Sequence, residues 1–425
     1  MRRNLLLTAM LAVFAVAAAS AQRQVNEADG YRLLVAPDRA DGSYGRGDEV
    51  RFLVSFEKDG APVADGELTW EVTKDSWKPK TSGVARVSDG RAVIGGHELD
   101  EPGFLQCRVK FVTPQGHELR AMAGAGVDKL LIGPSMPEPK DFMSYWKREL
   151  KKQAKIPMNI RLTPAPSTDP GIAVFDVQAD CEPGSFSAYL LNGAGVKSSR
   201  AWWAVSWAKD GLCVLDFNVH GLPNGEPDSY YADLENGPMF EYFLFGRDDR
   251  DSMFFHEMVM RLIRAIDVIT AQPQWDGKTV MVHGCSQGGA QAVMAGCLDP
   301  RVDLVCAEIP AMCDHTGMAA DRASGWPLLV ECDGEGAPDA RQLKAARYYD
   351  VVNFARHVTV PTYVTAGIID SLCPPTTVYA MYNQLKGEKH MLEHPTTGHI
   401  LTSQGEDFSR QAVREFVRRE RDTGR

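Results

Sequence analysis

One short stretch constrains this chain more than any other. The strand-like run Thr279-Val280-Met281-Val282-His283 passes into Gly284-Cys285-Ser286-Gln287-Gly288-Gly289, and Ala290 to Met294 continue with helical composition. A strand that turns directly into a helix lifts the middle residue of the turn, Ser286, and leaves no room for side chains at Gly284 and Gly288. Such a turn belongs to a sheet whose strands alternate with helices. From about Pro170 onward, short apolar runs at Ala173 to Val177, Ala188 to Leu191, Leu212 to Phe217, Thr279 to His283, Leu304 to Glu308 and Tyr363 to Ala366 alternate with helical stretches. Phe254, Met258, Leu262, Ile266 and Ile269 recur at helical spacing, as do Val413 and Phe416, and read as core faces.

A serine on such a turn either closes the turn tightly, binds a phosphate, or acts as a nucleophile. The third role needs a base and an acid that orients it, arriving later in the order Ser, Asp or Glu, then His. Strand Tyr363 to Ala366 runs into Gly367-Ile368-Ile369-Asp370, which puts Asp370 at a strand's carboxyl end. A helix from Thr377 to Leu385 and a short strand near Met391 follow, and the loop Pro395-Thr396-Thr397-Gly398-His399 returns His399 to the same edge. His394 is the nearest rival base, placed in or beside the last strand. Asp333 and Glu335 are rival acids, at a less suitable distance from His399. His220, His283 and His315 read as structural or lining groups. Cys285 beside the serine reads as packing beneath the turn.

The oxyanion formed by attack on a carbonyl needs two backbone N–H donors. One belongs to the residue after the serine, Gln287. The loop Asn192-Gly193-Ala194-Gly195 after an early strand offers the other, with Ala194 as the candidate and Gly195 as the alternative. No metal or organic cofactor is needed for this chemistry. The nine cysteines are scattered singly without the paired spacing of a zinc site, and read mainly as buried thiols, with a single disulfide as the alternative.

The N-terminal part is of another kind. Met1-Arg2-Arg3, an apolar run from Leu5 to Ala18 and Ala19-Ser20-Ala21 before Gln22 read as a secretory signal peptide over residues 1–21, too short for a comfortable membrane span. Residues 23–127 alternate with period two, as in Val50, Phe52, Val54 and Phe56 or Leu68, Trp70 and Val72. Asp59-Gly60, Asp65-Gly66 and Asp89-Gly90 supply hairpin turn residues, so a small all-β, immunoglobulin-like sandwich is expected. Pro134, Pro137 and Pro139 mark a linker, which with a leading helix spans 128–152, and 153–425 form the α/β catalytic domain. The β segment has no elbow serine, and is expected to pack beside the catalytic domain or position substrate while being dispensable for a small ester. A formal net charge of -10 argues against a nucleic-acid partner.

With these residues in place, the sequence from about Pro139 onward resembles the acetyl xylan esterase and cephalosporin-C deacetylase family, carbohydrate esterase family seven. The resemblance rests on Gly284 to Gly289, on Ile369-Asp370 with Cys373-Pro374-Pro375-Thr376 and Val378 to Asn383, and on Gly398-His399. It implies an α/β-hydrolase fold with Ser286, Asp370 and His399 as triad, and Asn192-Gly193-Ala194 at the family's oxyanion loop. It further implies an exported, cofactor-free serine esterase that removes acetyl groups from small saccharides or oligosaccharides. Val219-His220-Gly221, Ile400 and Ala194 depart from the family pattern, which bears on the pocket wall. The added β segment leaves the oligomeric state open, and the family's ring-like hexamer is not carried over. Two other readings stand beside it: an α/β-hydrolase peptidase of the prolyl oligopeptidase type, and a catalytically idle carbohydrate-binding protein.

Overall fold

A computed structural model describes residues 7–15, 24–77, 79–167, 169–182, 184–192 and 202–423. The alternating segment folds as expected into strands. Val50–Lys58 buries Val50, Phe52, Val54 and Phe56 and exposes Arg51, Leu53 and Ser55. The ladders run through ten strands as one continuous sheet, antiparallel except where Ser43–Tyr44 pairs with Glu118–Val127. The sheet returns on itself: Val25 bridges Arg120, and Tyr31–Pro37 lies against Glu118–Val127 across a core of Leu33, Phe52, Leu68, Leu105 and Val109. Asp59-Gly60 and Asp89-Gly90 are left-handed turn pairs, as expected. Asp65-Gly66 is not: it opens the strand Asp65–Lys74, where Gly66 pairs with Val87 in extended backbone. The turn lies upstream, and Asp29-Gly30 supplies a further left-handed pair.

The proline-rich linker is tied down along its length. Arg322 donates to the Gly133 carbonyl at 2.6 Å, and the Ser135 amide and hydroxyl both donate to Asp314. The helix that follows, Phe142–Gln153, buries Phe142, Tyr145 and Trp146 on one face, at the i, i+3, i+4 spacing of an amphipathic helix. They pack edge-on and tilted against Tyr348, Tyr349 and Phe354. Burying an aromatic side chain of this kind stabilises by about 1.5 to 3 kcal/mol, so this face fastens the linker to the α/β part of the chain.

That part is built on a nine-stranded sheet. At one edge Arg161–Ala165, Ala173–Asp180, Ser185–Asn192 and Cys213–Phe217 pair antiparallel in that order. The link from Asp180 to Ser185 is too short for the crossover that parallel strands require. From Cys213–Phe217 onward the sheet is parallel, through Leu7–Ala15, Trp275–Ser286, Val302–Glu308, Thr362–Gly367 and Lys389–His394. Leu7–Ala15 falls within the expected signal peptide, yet it pairs on both sides within this sheet. Parallel strands point the same way, so the loops after Ser286, Glu308, Gly367 and His394 gather at one edge. The helices Phe254–Thr270 and Gln287–Leu298 cover the sheet, the first burying the predicted stripe of Phe254, Met258, Leu262, Ile266 and Ile269. Among the described residues no helix is long and apolar enough to cross a membrane.

Candidate active site

The strand Trp275–Ser286 is buried from Thr279 onward, and Ser286 ends it at φ 56°, ψ −118° before the helix begins at Gln287. This is the left-handed region that L-residues rarely adopt, and it is what turns the chain sharply enough to present the hydroxyl. A Cβ on Gly284 would lie 2.3 Å from the backbone of Gly288, so the two flanking glycines are in mutual contact, as the sequence predicts. The turn is pinned from the next loop, where the Ala311 N–H donates to the Ser286 carbonyl at 2.9 Å.

His399 lies with Nε2 2.8 Å from Ser286 Oγ and Nδ1 2.6 Å from Asp370 Oδ2. With its proton on Nδ1 the ring donates to the carboxylate and accepts from the hydroxyl, the tautomer a general base needs. The second oxygen of Asp370 accepts from the backbone N–H groups of Leu372 at 2.8 Å and Cys373 at 2.9 Å. Asp370 is 1 % exposed, so its charge faces donors and no bulk water. The three residues chosen from sequence therefore stand in one chain of hydrogen bonds.

The rival groups stand elsewhere. His394 is the last residue of the strand Lys389–His394, its Nε2 is 3.0 Å from Thr402 Oγ1, and burial holds its pKa below the usual histidine range. Asp333 folds into an exposed turn and caps the N–H groups of Glu335 and Ala337. His283 lies buried with Nε2 2.9 Å from Glu308, which also accepts from Ser409 at 2.6 Å. Complete burial pushes the pKa of His315 down to about 3, a neutral core group. Burial pushes the Cys285 thiol well above its ordinary pKa, opposing a thiolate nucleophile there.

The Gln287 side chain turns into the core, accepting from the Tyr242 hydroxyl at 3.0 Å and donating to Met258 Sδ at 3.0 Å. This lock holds the first turn of the helix, whose N–H groups lack intrahelical partners and can face a developing anion. Sequence reasoning missed it, because Tyr242 is 45 positions away and carries no motif. Ala194, expected to supply the second donor, lies outside the described residues.

Asp370, Cys373 and His399 place potential metal-ligand atoms within 4.8 Å of one another. Two of them are committed to the serine chain, and burial keeps the Cys373 thiol protonated well above its ordinary pKa. The set fits proton transfer better than an ion. All nine cysteines are free thiols, with Cys332 exposed.

A sheet that is parallel around a strained serine elbow, with a Ser–His–Asp chain along its carboxyl edge, defines the α/β-hydrolase class. The acetyl xylan esterase (AXE1) family pattern matches residues 188–419. Acetyl esterase Axe7A from Xylanibacter ruminicola is 31% identical over 421 residues, covering 95% of this chain and 94% of that protein. The chain belongs to the acetyl xylan esterase family and is a carboxylic ester hydrolase. Two solved acetyl xylan esterases share its fold. The one from Paenibacillus sp. R4 has a TM-score of 0.56 and 22% identity, over 68% of this chain and 98% of that one. The one from Thermoanaerobacterium sp. JW/SL YS485 has a TM-score of 0.54 and 20% identity, over 67% and 96%.

Proposed function

We propose that this chain removes acetyl groups from acetylated saccharides with Ser286 as nucleophile, His399 as general base and acid, and Asp370 as the group that orients the ring. The observation that carries this reading is the continuous Oγ to Nε2 and Nδ1 to Oδ2 chain, 2.8 and 2.6 Å long. His399 takes the Ser286 proton as Oγ attacks the acetyl carbonyl, and Asp370 stabilises the imidazolium. The Gln287 N–H, with Ala194 as proposed second donor, binds the oxyanion. Collapse of the tetrahedral intermediate breaks the ester bond, and His399 returns the proton to the departing sugar oxygen. Water, deprotonated by the same ring, then hydrolyses the acetyl-enzyme.

The test is release of acetate from a panel of acetylated xylo-oligosaccharides and other sugar acetates, run beside longer-chain esters and peptide substrates. Acetate release in preference to the longer esters is expected, with no peptide cleavage. Preferential cleavage of a peptide bond would support the peptidase reading instead, and an inert serine that resists a fluorophosphonate would support the idle binding protein.

Export rests on the two arginines, the apolar run and Ala19-Ser20-Ala21. A leader removed after Ala21 cannot also remain as the strand Leu7–Ala15, which lies between Cys213–Phe217 and Trp275–Ser286. The expected result is an intact mass for the exported protein that lacks residues 1–21. An exported, active chain that retains Met1, with slow amide exchange over 7–15, would instead make this segment a permanent strand. The all-β unit we read as sandwich-like, since its opposed strands share one core, and the immunoglobulin likeness is one of architecture alone.

A further inference from the structure

The β unit touches the catalytic domain at a particular place. Gln106 and Gly124 face each other across the ladder between Gly103–Val112 and Glu118–Val127. The Gln106 amide donates to the carbonyl of Ile368 at 2.9 Å, two residues before Asp370, and is itself 5 % exposed. Its own oxygen accepts from Ser76 at 2.5 Å, so the amide is oriented. Gly124 has no side chain where one would collide: a Cβ there would lie 2.5 Å from Ile368 Cγ2 and 2.9 Å from the Ile368 carbonyl oxygen. One strand supplies a donor and its partner supplies the room, so together they form a seat for a single peptide unit.

The same face is tied to the neighbouring segments. Asp75, 2 % exposed, accepts from the Phe104 N–H and from the Thr376 hydroxyl at 2.5 Å, just after the acid turn. Lys129, just past the β unit, donates to both oxygens of Glu393 at 2.7 and 2.9 Å. Gln24 accepts from the Met122 N–H and donates to the Thr396 carbonyl, three residues before His399. On its other side the acid turn is held to the histidine loop, Ile368 N–H to the His394 carbonyl and Ile369 N–H to the Thr397 carbonyl. Ile368 is thus gripped between the β unit and the loop that carries His399.

We propose that residues 24–127 are a positioning element for the catalytic acid: the cross-strand pair Gln106 and Gly124 seats Ile368 and thereby sets Asp370 against His399. This replaces the expectation that the segment is dispensable for a small ester, and it rests on the triad reading above. Neither residue touches the reacting atoms. Their effect passes through the backbone of residues 368–370, where a misplacement of about 1 Å costs on the order of 100-fold in turnover.

The test uses the full chain with nitrophenyl acetate, comparing Gln106→Met, Gly124→Ala, Asp370→Asn and the exposed control Arg51→Ala, each with a thermal melt taken first. Gln106→Met keeps the length of the side chain and removes the donor. Gly124→Ala works from the other strand. Both are expected to lower kcat by about tenfold to 100-fold with KM nearly unchanged. Both should also move the acid limb of the kcat profile to lower pH, because an imidazolium that loses its carboxylate partner gives up its proton more easily. A purely structural loss lowers the amount of active enzyme and leaves that limb in place, so any destabilised variant is assayed below its melt. Wild-type kcat and an unmoved acid limb in both variants, beside an inactive Asp370→Asn, would overturn the positioning role and leave the triad standing. An active Asp370→Asn would overturn the triad itself.

Discussion

Ser286→Ala is expected to lower turnover on an acetyl ester by about 10⁴-fold or more while leaving the melting temperature nearly unchanged. The magnitude follows from the way the three groups act as one unit. Without Oγ the ring has no nucleophile to deprotonate, and only the oxyanion donors and substrate binding continue to favour the reaction over water. Stability should be spared for a local reason. The Ser286 hydroxyl pairs with His399 Nε2, at 2.8 Å, while the sharp turn is held by backbone, through Ala311 N–H to Ser286 carbonyl and the contact of Gly284 with Gly288. Alanine keeps that backbone. The measurement is acetate release per folded molecule, with a fluorophosphonate confirming that the labelled residue is gone. Turnover close to that of the parent would end the nucleophile assignment.

The second large effect is expected at the acid. Asp370 gives one oxygen to the N–H groups of Leu372 and Cys373 and the other to His399 Nδ1. In Asp370→Asn the single remaining oxygen satisfies the two turn donors, and the NH₂ then faces the ring. A ring facing a donor must accept at Nδ1 and carry its proton on Nε2, where it cannot take the proton of Ser286. Turnover should fall by about 10⁴-fold with KM little altered, since the shape of the site is kept. His394→Ala supplies the contrast, because that ring answers to Thr402 and stands outside the serine chain. Equal damage from His394→Ala and His399→Ala would show that the choice between the two histidines is wrong.

The elbow was legible because its requirements are local. A strand of apolar residues, two glycines in contact across one turn and a helix after it are all written within sixteen consecutive residues, 279–294. The same holds for the in-and-out alternation of Val50 to Phe56 and the helical stripe from Phe254 to Ile269, since period two and period 3.6 are properties of the backbone itself. The order of serine, acid and base was legible for a related reason: parallel strands deliver successive loops to one edge, whatever lies between them.

Other decisions depended on groups far apart in the chain. Asp333 and Asp370 are both acids after apolar runs; distance along the chain to His399 favours Asp370, and the contacts themselves, an exposed turn for one and His399 for the other, exist only in the folded chain. Asp65-Gly66 carries the same dipeptide as two true turns and became extended strand, because pairing with Val87 outweighed its turn preference. Gln106 carries no motif, and its partner Ile368 is 262 positions away. The amino-acid sequence alone therefore determined the hydrolase class, the serine turn and the residue types of the proposed triad, because these follow from short-range backbone geometry. Tertiary structure alone decided that an all-β unit grips the acid's turn and that Tyr242 locks Gln287, because a hydrogen bond between distant segments has no signature in either of them.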